Sequence, residues 1–330
     1  MRILVISDSL RDLPAAVAEL DRSGHDVAWV DGLVPFRDLS PGDGAELARA
    51  DAVVMGRVMG TDAAALDLAG RARVIALHTS GTDNIDLDAA AARGIAVTNV
   101  RGVNAEQCAE FSIGLMLAIT RQLRKGDIEI RAGRWAAAVG GSMAVYGATF
   151  GMVGLGQIGR AAARRAHAFG MKIICHTRTP DPAFGADLGI DYVGLDQVMA
   201  QADVVSLYAS LNPATRGMIG ASEIALMKPG AFFVNIARGE LVDEAALTTA
   251  LAAGRIAGAA LDVFEYEPLT ESPLFALDNV ILTPHLAGLT HGAMSLAAVT
   301  AVRNALAVLD GQPPLNPMNT PKPTRNGAPA

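Results

Sequence analysis

The stretch Thr149-Phe150-Gly151-Met152-Val153-Gly154-Leu155-Gly156-Gln157-Ile158-Gly159-Arg160 decides the fold. A short run of strand-forming residues, Thr149–Val153, ends on a glycine. A Gly-x-Gly-x-x-Gly string follows, and the Arg-, Ala- and His-containing segment after it has the make-up of a helix. A second apolar run, Lys172–His176, comes about 20 residues on. An isolated glycine string is often an ordinary turn. Strand, glycine turn, helix and strand together form a βαβ unit whose backbone N–H groups and helix N-terminus face a pyrophosphate. The segment predicts a Rossmann-type parallel sheet with a dinucleotide held at Gly154, Gly156, Gln157, Ile158 and Gly159.

The end of the second strand separates the two nicotinamide cofactors, because an acidic residue there accepts hydrogen bonds from the adenosine ribose of NAD. This chain has Cys175-His176-Thr177-Arg178-Thr179-Pro180 instead. Arg178 can face a 2′-phosphate and the hydroxyls of Thr177 and Thr179 can donate to it, so NADP(H) is expected, with NAD(H) as the alternative. The competing reading of Arg178 is a solvated loop arginine.

Outward from this unit the same rhythm continues. A second series of strands is expected at Thr149–Val153, Lys172–His176, Val204–Tyr208, Phe232–Ile236, Ala259–Val263 and Val280–Thr283. An earlier series covers Ile3–Ser7, Asp26–Val30, Ala52–Met55, Val74–Leu77 and Ile95–Thr98. Short apolar runs alternating with helical stretches signal parallel sheets covered on both faces. A long helix is expected over Val103–Leu123 after Asn104 as N-cap, and another over roughly Gly292–Leu309. Beyond it the chain is Pro-rich (Pro313, Pro314, Pro317, Pro321, Pro323, Pro329) and little fixed structure is expected past its first few residues. The fold class is α/β: two doubly wound Rossmann-like domains. A flavodoxin-like substrate domain is expected over 1–99 plus 287–330, and a dinucleotide-binding domain over 100–286.

Composition narrows the function. With 330 residues, two domains are the prior. The 27 Lys+Arg against 34 Asp+Glu give a net charge of −7, which argues against nucleic-acid backbone binding. Hydrophobic residues are 51% and charged residues 18%, with a mean hydropathy of +0.31, enough for large cores. No run approaches the 18 apolar residues of a membrane span, Phe111–Thr120 being the greasiest. Met1–Asp8 reads as a first strand and not a signal peptide. Two cysteines, Cys108 and Cys175, offer no disulfide framework and no Cys-based metal site, so a reducing cytoplasm is expected.

Three strands of the second series end just before Arg238, Glu267 and His285. Ligands of open parallel sheets bind beyond the strand C-termini, so the three can converge. A carboxylate binder, a charge partner and a proton carrier beside a nicotinamide are the equipment for hydride chemistry on a 2-oxo acid. The strings Gly154–Gly159, Val234-Asn235-Ile236-Ala237-Arg238-Gly239-Glu240-Leu241-Val242-Asp243-Glu244, Ala260-Leu261-Asp262-Val263-Phe264-Glu265-Tyr266-Glu267-Pro268 and Thr283-Pro284-His285-Leu286-Ala287-Gly288 closely resemble the D-isomer-specific 2-hydroxyacid dehydrogenases. So do Ser80-Gly81-Thr82-Asp83-Asn84-Ile85-Asp86-Leu87 and the Asn104–Arg121 helix.

The resemblance implies His285 as acid/base, Glu267 as its charge partner, and Arg238 on the substrate's carboxylate and keto oxygen. It places the backbone of Ser80 and Gly81 on the carboxylate and Asp262 near the nicotinamide carboxamide, with Ala237 also beside the cofactor. It further implies an active site in the cleft between the domains, a homodimer, and a small 2-oxo/2-hydroxy acid substrate of the glyoxylate/hydroxypyruvate type. Alternatives are a specialised dehydrogenase acting on an unusual acid such as a phosphonate, and a cofactor-sensing binding protein.

The chain departs from the family pattern at Tyr208-Ala209-Ser210, where many members carry His-x-Pro. It has Leu77 and His78 where phosphoglycerate dehydrogenases commonly carry an Arg, no regulatory domain is seen after residue 310, and it lacks the Lys that phosphite dehydrogenases place near Ser80. These disfavour phosphoglycerate and phosphite. Met55, Gly56 and Arg57 fall where the family lines its side-chain pocket. Arg57 either selects a polar substrate or faces solvent, His78 either touches substrate or is a hydrogen-bonded structural residue, and Trp135 either reaches a partner subunit or packs. His25, His167, His176 and His291 read as surface or packing residues.

Overall fold

The computed structural model describes residues 1–135 and 141–322. The chain divides into two compact units, Met1–Asn104 with Leu289–Ala330, and Ala105–Gly288.

In the first unit, β1 (Arg2–Ser7), β2 (Asp26–Asp31), β3 (Ala52–Met55), β4 (Val74–Leu77) and β5 (Ala96–Thr98) form a parallel sheet in the order β2-β1-β3-β4-β5. The chain winds both ways from β1, so the topological switch point lies between β1 and β3. Ile3–Ile6 of β1 and all of β3 and β4 are apolar because both faces are covered. Ile3, Val5, Val54 and Ala76 pack against the helices Pro14–Arg22 and His291–Leu309, while Leu4, Ile6, Val53, Met55 and Ile75 pack on the other side against Leu47, Leu66 and Ala90. His291–Leu309 is long and apolar enough to cross a bilayer, but it buries Ala298, Ala301, Val302 and Ala305 in this core.

Past this helix the structure corrects the sequence reading. The Pro-rich segment is fixed as far as Lys322. Pro317 makes an antiparallel bridge with Thr98, Met318 N–H donates to Val97 C=O at 2.8 Å, and Lys322 N–H donates to Ala91 C=O at 2.9 Å. Asn319 completes the seam: its Oδ1 accepts Val97 N–H and its Nδ2 donates to Ile95 C=O. Composition missed this because the partners are on the exposed edge of β5, which an added strand satisfies.

The second unit carries β6 (Thr149–Val153), β7 (Lys172–His176), β8 (Ile190–Tyr192), β9 (Val204–Leu207), β10 (Phe232–Asn235), β11 (Gly258–Leu261) and β12 (Val280–Leu282) in the order β12-β11-β10-β9-β6-β7-β8. This is the dinucleotide-binding strand order with one strand added beyond the sixth. Seven strands replace the six expected, the unforeseen one being the three-residue edge strand β8. The expected helix Val103–Leu123 is two helices. Ala105–Thr120 packs its buried face on the sheet, Gln122 takes a left-handed conformation (φ 54°), and Leu123–Arg131 follows with none of its residues buried.

Candidate active site

The glycine turn after β6 gives each glycine its own reason. Gly154 has φ +104°, and a Cβ there would lie 2.6 Å from Ala209 N, so the turn requires glycine twice over. A Cβ on Gly159 would lie 2.7 Å from Gly154 O, closing the helix onto the strand. Nothing lies within 4 Å of a Cβ on Gly156, which caps the helix Gln157–Ala168 without a side-chain bond. Among the described residues no acceptor takes the N–H groups of Leu155, Gly156 or Gln157. Open space in front of unspent donors at a helix N-terminus fits a pyrophosphate. Ile158 is half-buried in the same first turn.

At the end of β7, Thr177 is half-buried and Arg178 and Thr179 are exposed. Arg178 has no ion pair or side-chain hydrogen bond among the described residues. Arg160 is differently placed: it pairs with Asp181 at 2.8 Å and stacks on Phe184 at 4.7 Å. Sequence reasoning missed this brace, although Asp181-Pro182 is a legible helix start, and Asp181 does cap Pro182–Leu188.

The catalytic candidates follow three neighbouring strands, β10, β11 and β12. These strands stop one or two residues earlier than expected because the chain turns to build loops. Asn235 at the end of β10 accepts Ala237 N–H at 3.0 Å and donates to Arg238 C=O at 2.9 Å, fixing the loop that carries Arg238. Gly239 has no room for a side chain, since its Cβ would lie 1.9 Å from the Phe264 carbonyl carbon.

His285 Nδ1 sits 2.8 Å from Glu267 Oε2, and the other Glu267 oxygen accepts Phe264 N–H at 3.1 Å. His285 has φ 55°, a left-handed conformation that costs a non-glycine residue about 1–2 kcal/mol and persists only where its surroundings impose it. Asp262 imposes it. Its C=O accepts His285 N–H at 2.9 Å, and its carboxylate takes Thr283 Oγ1 at 2.6 Å, Leu286 N–H at 2.8 Å and Ala287 N–H at 2.9 Å. Asp262 is fully buried, and three of its side-chain acceptor positions are spent on the His285 loop. Cys108, on Ala105–Thr120, lies near both Asp262 and Arg238, and burial pushes its thiol up to about 11.

A sequence profile of the D-isomer specific 2-hydroxyacid dehydrogenase NAD-binding domain matches residues 113–287, over half of the chain. The chain belongs to this family. It is 38% identical over 310 residues to the D-3-phosphoglycerate dehydrogenase of Mycobacterium tuberculosis, covering 94% of this chain and 57% of that protein. The chain thus spans little more than half the length of those relatives. It is 40% identical over 261 residues to the glyoxylate reductase of Thermococcus litoralis, covering 77% and 79%. Among solved structures it resembles an NADPH-dependent glyoxylate/hydroxypyruvate reductase from Sinorhizobium meliloti in complex with NADP and malonate, with TM-score 0.86 and 31% identity over 98% of both chains.

In this member of the family, Tyr208 stands where many others have His-x-Pro. Its buried hydroxyl is 2.9 Å from Ser112 Oγ, and burial pushes it up to about 12. It is a core residue tying β9 to the helix Ala105–Thr120.

In the first unit, Ser80 and Gly81 follow β4. Asn99 Nδ2 donates to Ser80 C=O at 2.7 Å and Ser80 Oγ to Asn104 Oδ1 at 3.1 Å, while the N–H groups of Ser80 and Gly81 meet no acceptor among the described residues. His78 Nε2 lies 3.1 Å from Ser7 Oγ. Arg57 pairs with Asp83 at 3.4 Å. Trp135 is 85% exposed, which removes the packing reading for it within the described chain.

Proposed function

We propose that this chain is a cytoplasmic, homodimeric reductase of small 2-oxo acids, of the glyoxylate/hydroxypyruvate type, that prefers NADPH. The observation that carries the reading is His285, held in a costly backbone conformation with one ring nitrogen on Glu267. Residues held in such conformations gather at active sites, and unlike Gln122, which shares the conformation at a helix junction, His285 presents a ring paired with a carboxylate.

NADPH, when bound at the Gly154–Gly159 turn, supplies a hydride to the carbonyl carbon. Negative charge then grows on the carbonyl oxygen, and His285 delivers a proton to it from Nε2, because Nδ1 is engaged by Glu267. Hydride and proton together convert the keto group to the 2-hydroxyl. In the second unit, Arg238 is the binder of carboxylate and keto oxygens, with a planar pair of donors; in the first, the N–H groups of Ser80 and Gly81, which meet no acceptor among the described residues, are a carboxylate anchor. Asp262 works through the His285 loop as well as beside the nicotinamide. Arg178, exposed and without an ion pair among the described residues, receives the 2′-phosphate with Thr177 and Thr179. The S. meliloti structure with NADP bound supports the cofactor preference by likeness. The unburied helix Leu123–Arg131, with Ile128 and Ile130 exposed and Trp135 beyond it, supports a second copy of the chain as its cover.

The Michaelis constants for NADPH and NADH test the cofactor assignment, with NADPH lower by ten-fold or more expected and a ten-fold preference for NADH contradicting it. Chiral analysis of the lactate formed from pyruvate tests the class: the D-isomer is expected, and the L-isomer contradicts it. Light scattering at twice the chain mass is expected, and a monomer overturns the dimer.

A further inference from the structure

We infer that His78 selects among 2-oxo acids by what they carry on C3, as a neutral hydrogen-bond donor locked in one tautomer, and that it favours acids with an oxygen on that carbon. The inference rests on the function proposed above. Its basis is a hydrogen-bond account at the C-terminal edge of the first sheet. Ser7 Oγ, at the end of β1, accepts Ser9 N–H at 3.2 Å and Leu10 N–H at 3.1 Å, which occupies both of its lone pairs. Its single hydrogen is left for His78 Nε2 at 3.1 Å. Nε2 is then an acceptor without a proton, and the ring's one donor is Nδ1–H. Burial favours the neutral ring as well, against the pull of Asp8 and of the residue's own backbone carbonyl.

The ring's position gives this donor a use. His78 follows β4, yet its Nε2 reaches Ser7 on β1, so the imidazole crosses the end of β3, which lies between them. It can do so because β3 is followed by Gly56, where a Cβ would lie 3.2 Å from Nε2 and 2.5 Å from Leu33 Cδ2. The half-buried ring therefore sits over the β1/β3 switch point, where doubly wound sheets bind ligands. It is also two residues from Ser80, whose unspent N–H is the proposed carboxylate anchor. A 2-oxo acid anchored there and extending along the sheet edge brings its C3 substituent to His78.

The test compares kcat/KM for hydroxypyruvate and pyruvate, which differ by one hydroxyl on C3. A site built to hydrogen-bond a hydroxyl discriminates against the analogue lacking it. In His78→Leu the hydroxypyruvate-to-pyruvate ratio is expected to fall by about ten- to fifty-fold. His78→Asn, whose amide N–H replaces Nδ1–H, should recover part of the ratio, and His78→Gln should not. A ratio unchanged in His78→Leu overturns the inference, because a merely structural histidine would slow both acids alike. If the unaltered protein reduces neither acid, the proposed function fails and the selection role with it. In either case the 15N spectrum of the unaltered protein at pH 7.5 decides the tautomer, with Nδ1–H and a bare Nε2 expected and an imidazolium or Nε2–H contradicting the lock. Ser7→Ala should convert that spectrum to a mixture of tautomers.

Discussion

Asp51 in the first unit and Asp203 in the second occupy matching places at the N-terminal edges of their sheets. Asp51 accepts Arg2 N–H, at the start of β1, at 2.8 Å and Arg71 at 3.0 Å; Asp203 accepts Thr149 N–H, at the start of β6, at 2.8 Å and Lys228 at 2.7 Å. Burial pushes each carboxyl up, but the N–H and the cation outweigh it, so both lie below the ordinary carboxylate value. The C-terminal edges do not match. After β1 the turn spends N–H groups on Ser7 Oγ, whereas after β6 the glycine turn leaves those of Leu155, Gly156 and Gln157 without an acceptor among the described residues. One topology thus repeats a stabilising device at one edge and diverges at the other, where ligand chemistry is decided by which backbone donors remain unspent.

The comparison can be broken by finding a C-terminal-edge residue of the second unit that is dispensable for chemistry. The largest effect is expected at His285→Ala, which should lower NADPH-linked turnover by about 10²- to 10⁴-fold while cofactor fluorescence titrates normally. Near-normal turnover would sink the assignment. Glu267→Gln should lower turnover by about 10²-fold through loss of the charged partner of the same ring. Gly239→Ala sharpens the picture from the side of folding, since its Cβ would overlap the Phe264 backbone. A loss of about 3 kcal/mol in urea denaturation is expected, and an unchanged midpoint would contradict the close approach. Arg178→Ala should raise the KM for NADPH about ten-fold and leave that for NADH alone.

The smallest effects belong to the N-terminal edges. Asp51→Asn and Asp203→Asn should each cost about 1 kcal/mol at pH 7 with kcat retained. Because both folded carboxyls lie below 3.8, their contribution is present above that pH and is lost as pH falls through the lower folded value. The difference in Tm from the unaltered chain should therefore shrink on acidification below pH 3.8, and a difference that grew there would reverse the assigned sign.

Much of this was legible in the chain itself. The runs Ile3–Ile6 of β1, β3 and β4 are fully buried, and burial on both faces writes itself as an uninterrupted apolar run. The glycine turn and the loops carrying Arg238, Glu267 and His285 were readable because their residue types are chemically restricted. What escaped depends on distance or conformation. β8 is too short to show a pattern, the Pro313–Lys322 segment is fixed by edge pairing with β5, and the Ser7–His78 contact joins residues 71 apart. The left-handed backbone of His285 and the buried carboxylate of Asp262 that imposes it have no signature in composition.

The central claim is that the second unit's C-terminal edge reduces a 2-oxo acid. It is tested most directly by the initial rate of NADPH oxidation with glyoxylate, hydroxypyruvate, phosphohydroxypyruvate and phosphonopyruvate, each against a His285→Ala control. Oxidation with glyoxylate or hydroxypyruvate that the control abolishes is the predicted result. No oxidation with any of the acids, while NADPH still binds, would contradict it.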